Sequence, residues 1–89
     1  MGARVKRSGE VLDYLVDFAA DLADGDTIAA VAWSAAPVGL TLSGQVEAGT
    51  TSTIFAAGGA HGELYHLVAA ATTAAGRVLA YEIALRIAD

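Results

Sequence analysis

Six carboxylates, and no Lys or Arg, lie between Glu10 and Asp26: Glu10, Asp13, Asp17, Asp21, Asp24 and Asp26. Two kinds of chemistry use such a run. Crowded oxygen ligands hold Ca²⁺, and two carboxylates facing each other across a cleft do acid/base work on a glycosidic bond. The spacing of Asp17, Asp21, Asp24 and Asp26 is D-x3-D-x2-D-G-D, not the alternation that puts EF-hand ligands on every second residue. A catalytic pair needs a cleft between well-separated elements, which a thin domain rarely supplies. His61 sits in a glycine-rich stretch and His66 in a strand-like run, neither beside a Ser/Asp pattern that reads as a triad. The chain has no G-x-S-x-G, no H-E-x-x-H and no phosphate loop. The expectation is a protein that is not an enzyme, holds no metal and needs no cofactor, with the acids on the wet side of a fold.

The aromatic residues offer one further chemistry. Trp33, Tyr14, Tyr65 and Tyr81 have the right types for a platform on which a glycan stacks. The same residues fill cores. Trp33 and Tyr81 are expected there, and "GELY" places Tyr65 just after a loop, as in the tyrosine corner of immunoglobulin-type sandwiches.

These side chains have to be positioned by 89 residues, one domain's worth. There is no Cys, so neither disulfides nor thiolate ligands help. A domain this small has a thin core and often gains stability on a partner or in an oligomer. A net charge of −5 argues against nucleic acid, which needs cations for its phosphates. Glu10, Asp13 and Asp17 interrupt any signal-peptide core. Residues 27–46 are 20 without a charge, but Pro37, Gly39 and Gly44 break them, so they read as buried strands rather than a membrane span.

Periodicity points to β structure. In "VLAYEIALRI", Leu79, Tyr81, Ile83, Leu85 and Ile87 alternate with Val78, Ala80, Glu82, Ala84 and Arg86. "ELYHLVAAATT" alternates in the same way, and "AAG" at 74–76 closes a hairpin between the two runs. Strands are expected at 27–35, 40–46 and 51–57, with turns at 36–39, 47–50 and 58–62. Residues 10–18 carry both helical and strand periods, and Tyr14, Val16 and Phe18 favour a strand followed by a helical turn near 19–24. Residues 1–9 read as a flexible arm before a single domain at 10–89. The expected fold is all-β: an Ig-like antiparallel β-sandwich of about seven strands.

In order along the chain stand "KRSGEVLDYLVDF", "LADGDTIAAVAW", "GLTL", "HGELYHLVAAATTAAGR" and "EIALRI". This series resembles a family of short phage proteins described as fiber-tail adaptors, over nearly the whole chain. Family members look like K-x-P-x-E-x-LDY-x-x-D-W, then DGDTI with a Trp beyond, then a Tyr strand ending in T-T-x-x-GR. Ser8 stands where the family tends to have Pro, and Phe18 where it tends to have Trp.

The resemblance implies an Ig-like virion structural protein without catalysis. It would act as an adaptor or decoration in tail, fibre, neck or capsid, with other virion proteins as partners and no membrane. It would be made in the host bacterial cytoplasm, and any assembly would favour threefold or sixfold symmetry. The alternative is an Ig-like module that recognises a glycan or host surface. Two contact regions are expected. One is the basic cluster Arg4, Lys6 and Arg7, facing an acidic neighbour. The other is the Ala-rich outer strand face marked by Ala80 and Ala84, since a solvated β face usually carries Thr, Lys and Glu instead.

Overall fold

The computed structural model describes residues 3–89. Seven strands and one short helical turn follow in order: β1 (Arg4–Lys6), β2 (Val11–Asp17), the 3₁₀ turn Ala19–Asp21, β3 (Ile28–Ala36), β4 (Leu40–Ala48), β5 (Thr51–Gly58), β6 (Leu64–Thr73) and β7 (Val78–Ile87). They form two sheets, one of four strands in the order β1-β7-β6-β3 and one of three in the order β2-β5-β4. The result is an all-β, two-sheet sandwich, a slab of 44 × 25 × 17 Å with two broad outer faces.

The ambiguous run at 10–18 resolves as a strand because both of its alternate sides are used. Tyr14, Val16 and Phe18 are buried, whereas Val11, Asp13, Leu15 and Asp17 point out. At Phe18 the chain leaves the sheet. The Asp17 carboxylate accepts from the Ala19 N–H at 2.9 Å and from the Thr50 hydroxyl at 2.8 Å, and Asp21 N–H bonds back to Phe18 O. This local capping favours a short turn over a continued strand. The β6–β7 hairpin closes where expected, with Gly76 at a φ of +91°, a value that glycine adopts without Cβ strain.

The core has two centres. Tyr14, Ile54, Ala56, Tyr65, Leu67, Leu85 and Ile87 form one, and Val16, Phe18, Val31, Ala69 and Ala71 the other. The Phe18 ring stacks on Tyr81 at 5.1 Å and 10°, an arrangement that contributes about 0.5–1.5 kcal/mol beyond area burial. The Tyr81 hydroxyl bonds the Asp21 carboxylate, which ties the helical turn to β7.

Residues Arg4–Lys6 depart from the expected arm. They are strand β1, paired in parallel with Leu85–Ile87 of β7, while every other strand pair is antiparallel. Three residues are too few to show a period, so the strand had no sequence signature. What holds it is Lys6, whose side chain is fully buried. Its Nζ donates to Arg7 O at 2.8 Å and to Gly58 O at 2.7 Å.

Three aspartates fasten loops. Asp17 caps the helical turn as described. Asp26 Oδ1 accepts from the Thr27 and Ala75 N–H groups, joining the β2–β3 loop to the β6–β7 hairpin. Asp89 accepts from the N–H and the hydroxyl of Ser8. Each carboxyl is held below its ordinary value of 3.8. The leading cause is the Ala19 amide for Asp17, the Thr73 hydroxyl for Asp26 and the Ser8 amide for Asp89. A carboxyl depressed in the folded state contributes stability above its unfolded value, and that contribution drains as pH falls through the folded value. The melting temperature is therefore expected to fall as pH is lowered through about 4. The triple variant Asp17→Asn, Asp26→Asn, Asp89→Asn should melt lower at neutral pH and show a flatter acid limb. Parallel acid limbs in scanning calorimetry would contradict this.

Candidate interaction surfaces

The acidic run does not converge. Asp17, Asp21 and Asp26 are each bonded to separate parts of the chain, and Asp24 lies in the turn closed by the Asp26 N–H to Ala23 O bond. Among the described residues no three His, Asp or Glu side chains come together as a metal site. No helix among them is long and apolar enough to cross a membrane.

Trp33 and the three tyrosines turn inward. Trp33 sits at the edge of the core, and its indole N–H donates to Ser52 Oγ at 2.9 Å. Ser52, fully buried, donates to Glu47 Oε2 at 3.0 Å. Gln45 donates from Nε2 to the same oxygen at 2.8 Å and to Val31 O at 2.6 Å. This chain of bonds ties the β4 bulge, where register shifts between Ser43 and Val46, to the edge of β3. Tyr65 is a true corner. It is buried, and its hydroxyl accepts from the Ala60 N–H at 3.0 Å, five residues upstream.

Of the basic cluster, Lys6 is withdrawn altogether, because both of its hydrogen-bond partners are backbone carbonyls inside the fold. Arg4 lies over the Tyr14 ring, with its guanidinium carbon 5.9 Å from the centroid. Burial pushes the Tyr14 phenol up, and the Arg4 charge opposes that. The patch expected from sequence is thus not a row of three free cations. Read as part of an arm without an apolar period, Lys6 carried no sign of burial in the sequence.

The outer face of the four-stranded sheet carries Ala80 and Ala84, as the alternation required. Register puts Ala32, Ala70 and Ala80 in one row across β3, β6 and β7. The next rows are Ser34–Val68–Glu82 and Ala36–His66–Ala84. His66 Nδ1 lies 3.2 Å from Glu82 Oε1. At the end of this face Arg86 stands between Leu64 and Val5, and both of these apolar side chains are exposed.

The outer face of β2-β5-β4 was not anticipated. Its rows are Val11–Ala57–Thr41, Asp13–Phe55–Ser43, Leu15–Thr53–Val46 and Asp17–Thr51–Ala48. Val11, Leu15, Val46 and Phe55 are 60, 53, 58 and 38% exposed. The acids of β2 do not keep this face wet alone; they share it with large apolar side chains. Within β2, Val11 and Leu15 share the parity of Asp13 and Asp17, but only register with Phe55 and Val46 makes them one patch.

Asp17, Asp21 and Asp26 of the acidic run fasten loops and turns, and both outer sheet faces expose apolar side chains. The fold that carries them is an all-β, two-sheet sandwich. The family described as Podophage GP4 fiber-tail adaptor protein gp77 matches residues 6–86, and the chain belongs to that family. It is thus a member of a phage tail structural family. Among curated proteins none matches the chain.

Proposed function

We infer that the chain is a non-enzymatic adaptor of the virion, an Ig-like sandwich seated at the joint between tail and fibre and present there in threefold or sixfold copies. The observation that carries this is the pair of broad, exposed, apolar outer faces on a member of an adaptor family. The Ig-like reading is supported by the strand orders β7-β6-β3 and β2-β5-β4. In chain order these correspond to the G-F-C and B-E-D arrangements of immunoglobulin sandwiches, and Tyr65 supplies the corner. Contact runs through the face of Ala80 and Ala84. Val5 and Arg86 stand at the end of that face, and Lys6 holds β1 in place beside β7.

Purified particles of a phage or prophage that encodes the chain test this reading. Deleting the coding sequence should leave tails assembled and fibres missing in negative-stain micrographs. Mass spectrometry of complete particles should find the chain in a multiple of three copies. Fibre-bearing particles from the deletion strain, or complete particles without the chain, would overturn it. The adaptor reading is favoured over the glycan-binding alternative because Trp33 and the three tyrosines pack toward the interior.

A further inference from the structure

The β2-β5-β4 outer face combines exposed apolar side chains with an anion that has no partner. Asp13 lies in register with Phe55, near Val11 and Leu15, and among the described residues its carboxylate makes no hydrogen bond or ion pair. The opposite face of the same slab has the complement. Arg86 stands in register with Leu64 and Val5, which are 42 and 61% exposed, and no carboxylate lies within salt-bridge distance of it among the described residues. The shapes also match. One face presents large apolar knobs, Leu15, Val46 and Phe55, close to Asp13; beside Arg86 the other presents the small side chains of Ala84 and Ala36, with Val68 beyond them. Sheets that pack face to face interdigitate large side chains into small ones at about 10 Å. Like-on-like stacking of the β2-β5-β4 face would bring Asp13 and Asp17 against their own copies, which like charges oppose. The basic cluster is no rival occupant, with Lys6 buried and Arg4 held over Tyr14.

We propose that the β2-β5-β4 face binds the four-stranded face of a second copy of this chain, with Asp13 of one copy paired to Arg86 of the next. The contact is head-to-tail, so each copy uses one face toward each neighbour and the arrangement closes into a ring or runs on. This rests on the reading of the outer faces as contact surfaces, but its test is separate from the particle experiment.

Sedimentation velocity of the purified chain supplies the test. At about 0.5 mM, far above the micromolar constants common for small interfaces, the wild type should sediment as a species heavier than the 9.0 kDa monomer. Ala80→Lys with Ala84→Lys, on one face, and Leu15→Lys with Val46→Lys, on the other, should each be folded monomers. Mixed one to one, they retain one intact interface and should form a two-chain complex. The charge reversals Asp13→Arg and Arg86→Asp should each weaken association roughly three- to tenfold, and the double reversal should restore it. This second route stands even if a lysine variant fails to fold. A wild type that stays monomeric at all concentrations, a mixture that does not associate, or a double reversal no better than the single ones would overturn the proposal. Monomeric behaviour in solution with fibre attachment intact would leave the adaptor reading in place.

Discussion

Gly39→Ala is expected to cost the domain about 3–4 kcal/mol, a large share of the 5–15 kcal/mol that such domains possess. Gly39 has a φ of +147°, and a Cβ built there would lie 2.5 Å from Tyr65 Oη and 3.1 Å from its Cε1. Two costs combine. A left-handed φ disfavours any side chain by about 1–2 kcal/mol, and crowding a packed core costs roughly 1–3 kcal/mol more. Tyr65 cannot swing aside, because it is buried and its hydroxyl holds the Ala60 N–H. Tyr65→Phe alone should cost about 1–2 kcal/mol by leaving that N–H unpaired. It also removes the atom nearest the new methyl group, so the double variant should lose about 1 kcal/mol less than the sum of the two singles. Urea denaturation of the four proteins reads this coupling. Gly39→Ala within 0.5 kcal/mol of wild type, on the roughly ±0.5 kcal/mol scale of ordinary surface changes, would refute the account.

Lys6→Met is the second large effect, expected to cost about 2–3 kcal/mol. Met keeps most of the apolar stem but supplies no donor, so Gly58 O loses the ammonium and Arg7 O keeps only the Glu10 N–H. For a domain of this size that corresponds to a fall in melting temperature of roughly 10–20 °C. Lys6→Arg separates this role from that of a docking cation. A surface cation tolerates the exchange. A buried ammonium bonded to two carbonyls does not, because the forked guanidinium has a different shape and reach. Thermal melts should therefore place both variants well below wild type. A Lys6→Arg protein that melts with wild type would return Lys6 to the surface and revive the basic patch.

Much of the fold was legible because period two is a direct image of a two-sided sheet. The run Val78–Ile87 named its buried set, and Leu85 and Ile87 are fully buried. Tyr65 announced its corner by position after a loop. Three things were not legible, each for a physical reason. β1 is too short to show a period, and its stability comes from Lys6 reaching Gly58, 52 residues away. The bonds through Trp33, Ser52, Glu47 and Gln45 depend on a β-bulge, which shifts parity where sequence reasoning assumes it constant. The apolar β2-β5-β4 face arises from cross-strand register, which brings Leu15 into line with Val46 through Thr53. In each separate run those side chains look like ordinary scattered surface residues.

The parallel pairing of β1 with β7 sets how the domain bears tension. Arg4, Val5 and Lys6 run in the same direction as Leu85, Arg86 and Ile87. A pull applied through the chain before β1 and after β7 draws these two strands past each other lengthwise. Their hydrogen bonds are then loaded together in shear, rather than opened one after another like a zip. The Ala88 N–H on Lys6 O and the Ser8–Asp89 bonds bridge the same seam and share the load, while the Lys6 ammonium on Gly58 O pins β1 to β5 of the other sheet. In a member of a phage tail structural family, a load carried along the chain would fall first on the strand that sequence periodicity overlooked.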